Sequence, residues 1–275
     1  MRREIPGHEG SVTTLTSRTT DGVDLRGALI EQPDGDADLA IVVGHGVTNT
    51  VAKPFVARVL RRLSRSGAVI AFDFRGHGRS GGHSTIGDRE ILDIDAAVEV
   101  ARERGYTTVA TVGFSMGAAV VLRHAALCGG VDTVAAVSGP SRWWVRDTAA
   151  MRRVHWMLED PLGRAVAPVV GVRLGPHWGE PPPASPIEVI SRIAPVPLLL
   201  LHGTEDRYFS PEHAVALQRA SGGHAELWLE QGMQHAESAM TPALTDRLGG
   251  WLRQRAGSIG ATPSGDYTAI AMRDE

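Results

Sequence analysis

Ser115 stands between two glycines in the pentapeptide Gly113-Phe114-Ser115-Met116-Gly117, at the end of the β-branched run TTVATV. A serine hydroxyl alone is a weak nucleophile. It needs a base to take its proton, and the base needs an acid to orient it. The chain has 11 histidines, so placement has to choose among them. His235, in EQGMQHAES, falls in a loop after the last apolar run, whereas His224 opens that run. His213 and His124 sit inside helical patterns, where a surface role is the ordinary expectation for His213. His235 is therefore the expected base. Asp206, a few residues past the run VPLLLLHG, is the expected acid and is preferred to its neighbour Glu205. Acyl transfer also needs donors for the oxygen that becomes negative. The backbone N–H groups of Met116, after the serine, and of Val47, in the loop HGVT, are the expected pair. His45 in the same loop is read as shaping it.

These residues need a frame that brings them together. The stretches 11–19 and 23–31 alternate around a TDG turn and predict a β-hairpin. DLAIVVGHG, AVIAFDF, YTTVATVG, VDTVAAVSG, VPLLLLHG and HAELWLE are further strand candidates. Between them lie helical patterns such as KPFVARVLRRLSRSG, with Phe55, Val59 and Leu63 four apart and a glycine at the end. Strand and helix in alternation predict a mostly parallel sheet of about eight strands with helices on both faces. Catalytic groups on such sheets gather at the carboxyl ends of the strands. Ser115, Asp206 and His235 all fall at such ends, and the serine opens a helix.

The rhythm breaks over residues 140–194, which hold four of the six tryptophans and the proline-rich GEPPPASP. The expected organisation is a core of 11–139 and 195–255, an insertion at 140–194 and a disordered tail at 256–275. Trp143, Trp144 and Trp156 are candidates for lining a substrate pocket. Packing the insertion onto the core would use them equally well.

Five motifs now stand in order: the oxyanion loop HGVT, the loop DFRGHGRSGG, the elbow GFSMG, the acid loop HGTED and the histidine loop GMQHAE. In these the chain resembles the α/β-hydrolase superfamily, and within it bacterial serine hydrolases similar to serine aminopeptidases, monoacylglycerol lipases and acyl thioesterases. The likeness spans most of 20–139 and 187–255. It implies an α/β-hydrolase fold with a small cap at 140–194. It also implies a Ser-His-Asp hydrolase acting on a carboxylic ester or thioester through an acyl-enzyme, without metal or cofactor. Met233-Gln234 before His235 departs from the commoner Gly-x-Gly-His. A peptidase or amidase of the same fold, or a non-hydrolytic ligand-binding module, are the alternatives. A peptidase would need an amine anchor such as Glu159 or Asp160 in the cap.

Composition narrows the remaining classes. A formal net charge of -3 excludes the broad basic surface of a nucleic-acid binder. A single cysteine, Cys128, allows no internal disulfide and fits a reducing compartment. The N-terminal MRREIPGHEG has no apolar segment behind its basic residues, and no run approaches a membrane span. A cytoplasmic protein with a small acyl substrate is expected. One lysine against 27 arginines points to a GC-rich, bacterial genome. DFRGHGRSGG lacks the ending of a phosphate loop, and the sequence spacing shows no zinc site, so that loop is expected to pack beside the active site.

Overall fold

A computed structural model describes residues 10–33 and 38–259. Among the described residues there are eight strands: β1 (Val12–Arg18), β2 (Asp24–Ile30), β3 (Leu39–Gly44), β4 (Ala68–Phe72), β5 (Thr108–Phe114), β6 (Thr133–Val137), β7 (Leu198–Gly203) and β8 (Glu226–Glu230). They form one sheet in the order β1-β2-β4-β3-β5-β6-β7-β8. β1–β2 and β2–β4 pair antiparallel, and every other pair is parallel. The central strands read as continuous apolar runs because both of their faces are covered. Along β3, Ala40 and Val42 face one core, with Ile94 of α2 (Glu90–Glu103) and Val121 of α3 (Met116–Leu127). Ile41 and Val43 face the other, with Val59 of α1 (Pro54–Leu63) and Leu248 of α9 (Pro242–Ile259). The period-two geometry of a strand makes this two-sided core possible. β1 at the edge buries Leu15 alone among its seven residues, as a strand with one solvated face should.

α1 starts with Pro54 in its first turn and buries Val56, Val59, Leu60 and Leu63, a stripe at spacings of three and four. α9 runs through Ile259, past residue 255, where the core is expected to end. The segment predicted as a disordered tail, 256–275, therefore begins inside a helix, and from residue 260 onward it lies outside the described residues.

Between β6 and β7 the chain forms α4 (Ala149–Glu159), α5 (Pro161–Val166), a 3-10 turn (Ala167–Val170), α6 (Pro186–Val189) and a second 3-10 turn (Ile190–Ile193). Ile190 and Ile193 join the α3-side core, so the end of this segment packs with the sheet layers. Its middle is zipped onto the glycine-rich loop after β4. Ser84 N–H donates to Arg173 O (2.7 Å), Arg173 N–H to Gly76 O (2.8 Å) and Gly175 N–H to Ser84 O (2.8 Å). The loop DFRGHGRSGG thus serves as a packing seat. Arg75 anchors it through ion pairs to Asp21 (2.7 Å) and Asp93 (2.8 Å). α7 (Glu212–Ala220) lies between β7 and β8, and α8 (Ala236–Ala239) between β8 and α9. Among the described residues, no helix is long and apolar enough to cross a membrane.

Candidate active site

β5 ends at Phe114 and α3 begins at Met116, so the whole reversal from strand to helix falls on Ser115. Its φ of 55° and ψ of -115° are a conformation that a side chain rarely tolerates. The flanking glycines make room for the turn. A Cβ on Gly113 would lie 2.1 Å from the Gly117 carbonyl oxygen, and one on Gly117 would lie 2.2 Å from that of Gly44. The turn presents Ser115 Oγ 2.9 Å from Nε2 of His235. Nδ1 of His235 is 2.7 Å from Oδ2 of Asp206. A carboxylate only accepts, so the proton sits on Nδ1 and the Nε2 lone pair faces the serine hydroxyl.

Asp206 is fixed in turn. Its Oδ1 accepts from the N–H groups of Tyr208 (2.8 Å) and Phe209 (3.1 Å). Burial alone would raise its pKa, but the bonds from His235 and these N–H groups outweigh it and hold the carboxyl below the ordinary carboxylate range. Glu205, its neighbour, is exposed, while the Asp206 side chain is fully buried. The Tyr208 ring lies over His235 at 4.4 Å between centroids. Ser138 Oγ accepts from Ala236 N–H (3.1 Å) and ties down the chain just after the histidine.

Met116 N–H belongs to the first turn of α3, whose amides have no helical carbonyl to bond. Val47 N–H also finds no partner among the described residues, and both residues line the cavity above Ser115. His45 is fully buried. Its Nε2 accepts from Phe74 N–H (3.0 Å), which leaves Nδ1–H for Gly46 O (2.8 Å). Burial, aided by nearby His77, pushes its pKa down to about 3, so the ring is neutral and structural.

The cavity measures ≈ 210 Å³ and has an apolar lining. Trp143 and Trp144 both line it, as does Trp178, whose ring centroid is 5.0 Å from that of Trp143 and 5.3 Å from that of Trp144. Trp156 does not. It is 46% exposed, because the cavity face of α4 is made by Met151, Val154, His155, Leu158 and Glu159, and Trp156 lies off that stripe. The expectation for Trp156 is corrected on this ground, and Trp178 takes its place. His213 also departs from its surface expectation: it is buried and accepts from Ser141 N–H (3.1 Å). Two residues near the site carried no sequence signal. His202 lies 3.6 Å from Asp206, too far to bond it, and donates to Phe209 O (3.0 Å). Glu237, 2% exposed, accepts from Gly46 N–H (2.7 Å).

One group among the described residues has the makings of a metal ligand set: Asp95, His124 and Cys128, with ligand atoms within 4.8 Å of one another. It lies along α2 and α3, away from the serine. Burial pushes the Cys128 thiol up to about 11, the reverse of a reactive thiolate.

The sequence profile of the alpha/beta hydrolase family matches residues 40–243, which span the elbow, the acid loop and the histidine loop. The chain belongs to the alpha/beta hydrolase family. No curated protein matches it in sequence. Among solved alpha/beta hydrolases it is similar to the esterase Pf2001 of Pyrococcus furiosus, at 25% identity over 90% of this chain and 94% of that one, with a TM-score of 0.70. The esterase domain of a Rhodothermus marinus protein shares its fold at 21% identity, covering 89% and 99% of the two chains, with a TM-score of 0.65. So does XC6422 of Xanthomonas campestris, described as a serine hydrolase without a lid, at 21% identity, 92% and 97% coverage, and a TM-score of 0.60.

Proposed function

We propose that this alpha/beta hydrolase cleaves a carboxylic ester or thioester through an acyl-enzyme on Ser115. The observation that carries the reading is the unbroken line from Ser115 Oγ through His235 to Asp206, at 2.9 and 2.7 Å, at the base of an apolar cavity. His235 takes the serine proton as Oγ attacks the acyl carbonyl, and Asp206 stabilises the imidazolium that results. The N–H groups of Val47 and Met116 receive the oxyanion. His235 then returns the proton to the leaving alcohol or thiol. Water, deprotonated by the same nitrogen, releases the acid. Trp143, Trp144 and Trp178 surround the apolar part of the substrate.

The esterase Pf2001, at 25% identity over nearly the whole chain, supports ester chemistry over amide chemistry. So does the cap. Glu159 lines the cavity but is already bonded by Arg146 and His155, and Asp160 caps α5 through Leu162 N–H (2.9 Å). Both oxygens of Glu159 are thus engaged, and Asp160 is not among the residues that line the cavity.

The test is hydrolysis of p-nitrophenyl esters from acetate to palmitate, with acyl thioesters alongside, by wild type and Ser115→Ala. Turnover that peaks at one chain length and disappears in the variant is the expected result. An unchanged rate in the variant would remove the serine from the mechanism. No turnover of any ester or thioester by the wild type would favour amides or a binding role.

A further inference from the structure

We propose that Glu237 is a positioning residue for the oxyanion donor at Val47: its buried carboxylate holds the preceding N–H, that of Gly46, and so fixes the loop from which Val47 N–H points. This rests on the serine-hydrolase reading above and deepens it.

The problem begins with glycine. Gly46 imposes almost no φ/ψ preference of its own, so the two peptide planes that meet at its Cα are free to swing unless something outside the backbone holds them. Each plane carries an N–H and a C=O pointing in opposite directions, and to fix one is to aim the other. The plane between Gly46 and Val47 is held by its carbonyl. Gly46 O accepts from Asn49 N–H (2.9 Å) and from His45 Nδ1–H (2.8 Å). The plane between His45 and Gly46 is held by its N–H, which donates to Glu237 Oε1 at 2.7 Å. The two following carbonyls are gripped as well, Val47 O by His77 Nε2 (2.5 Å) and Thr48 O by Nζ of Lys53 (2.5 Å), the one lysine in the chain. In this run of pinned groups, the N–H groups of Val47 and Thr48 find no partner among the described residues, and both residues line the cavity.

Glu237 borders the cavity above Ser115 and accepts the Gly46 N–H. It is 2% exposed, and burying a carboxylate costs far more than burying an apolar side chain of the same size. Packing alone would therefore favour methionine. Its position is close to the reacting serine: a Cβ built on Gly46 would lie 3.4 Å from Glu237 Oε2 and 3.4 Å from Ser115 Cβ. It also stands two residues after His235, on α8. One short segment thus carries the base and the brace of the oxyanion loop, and the two halves of the site keep a common register.

The decisive comparison is Glu237→Gln, which keeps an oxygen for the Gly46 N–H, against Glu237→Met, which keeps the length and loses the acceptor. Displacing one oxyanion donor costs up to about 100- to 1000-fold in rate, so a brace that only steadies it should cost about 10- to 100-fold in kcat. The methionine variant is expected to show that loss with KM within about threefold of wild type. Its affinity for an alkylboronic acid, whose adduct on serine puts an oxygen where the oxyanion forms, should fall by the same factor as kcat/KM. Glutamine should stay within about threefold of wild type in all three. A general loosening of the fold would lower Tm without coupling kcat to boronate affinity.

Wild-type kcat in a folded methionine variant overturns the proposal. So does glutamine as slow as methionine, which would make the charge and not the acceptor the active feature. A loss confined to KM also overturns it. If methionine does not fold, Glu237→Ala replaces it, and a fall of more than about tenfold in glutamine alone is sufficient refutation. Failure of the underlying reading looks different: Ser115→Ala would then hydrolyse the substrate at the wild-type rate, whatever Glu237 does.

Discussion

Asp206 and Glu205 are adjacent and chemically alike, yet one is fully buried against His235 and the other faces solvent. The difference is one of direction: the turn after β7 folds the Asp206 side chain back under the N–H groups of Tyr208 and Phe209. Asp206→Asn is expected to lower kcat by about 10⁴-fold, because the amide can donate to Nδ1 and turn the imidazole to the wrong tautomer. Glu205→Gln should stay within about twofold, as a solvated loop residue does. Steady-state kinetics of the pair on one ester decides between them, and equal losses would mean that the acid is misassigned. The residues of this line were legible in the sequence because each sits just after a strand, where side-chain direction follows from the end of the run. The pocket was less legible. Four tryptophans in one segment announce an aromatic surface, but whether Trp156 faces inward depends on the helical phase of α4, and sequence alone does not reveal what that helix packs against. Trp156→Ala should therefore leave the chain-length profile of ester hydrolysis unchanged, while Trp178→Ala should move it toward longer acyl chains. A shift with Trp156 and none with Trp178 would reverse the assignment.

At the scale of elements, the site depends on how closely α3 can approach β3. Gly117, one residue into α3, lies directly against the end of that strand, and a methyl group there would sit 2.2 Å from the Gly44 carbonyl oxygen and 2.8 Å from that of His45. Gly117→Ala has no rotamer to relieve the clash, because the intruding atom is Cβ itself. It must push α3 off the sheet, and a loss of about 1 to 3 kcal/mol is expected from overpacking of this kind. Gly179→Ala, where nothing lies within 4 Å, should change stability by less than about 0.5 kcal/mol. Urea unfolding of the two variants tests the contrast, and equal midpoints would show that α3 yields without cost. The order of strands and helices, and the turn at Ser115, could be read from alternating patterns because buried parallel strands are uniformly apolar and their helices are striped. The seating of the 140–194 segment could not. It depends on isolated backbone bonds such as Arg173 N–H to Gly76 O, made by groups that every residue carries and that leave no trace in side-chain type.

For the whole molecule, the two-sided core has a consequence for acid stability. A sheet covered on both faces leaves little surface near its centre, and polar side chains that serve the site from beneath are buried with it. His45, His202 and His213 all have their pKa lowered, in each case chiefly by burial, and His45 falls from 6.5 to about 3. The folded protein thus keeps these rings neutral where the unfolded chain would protonate them. Below pH about 6.5 the unfolded state binds more protons than the native one, so the contribution of His45 is fully present above that value and is lost as pH falls toward 3, by up to about 1.4 kcal/mol per pH unit, and His202 and His213 act in the same direction. Asp21, which Arg75 holds down to about 2, adds a further loss below about 3.8. Urea midpoints measured between about pH 7 and about pH 5 should therefore decline steadily, and His45→Gln should flatten the decline even if it lowers stability at neutral pH. A midpoint that does not move over that interval would mean that water reaches these rings and that the layer beneath the active site is open. A decline of undiminished slope in His45→Gln would assign the effect to the other two histidines, His202 beside Asp206 and His213 beside Ser141.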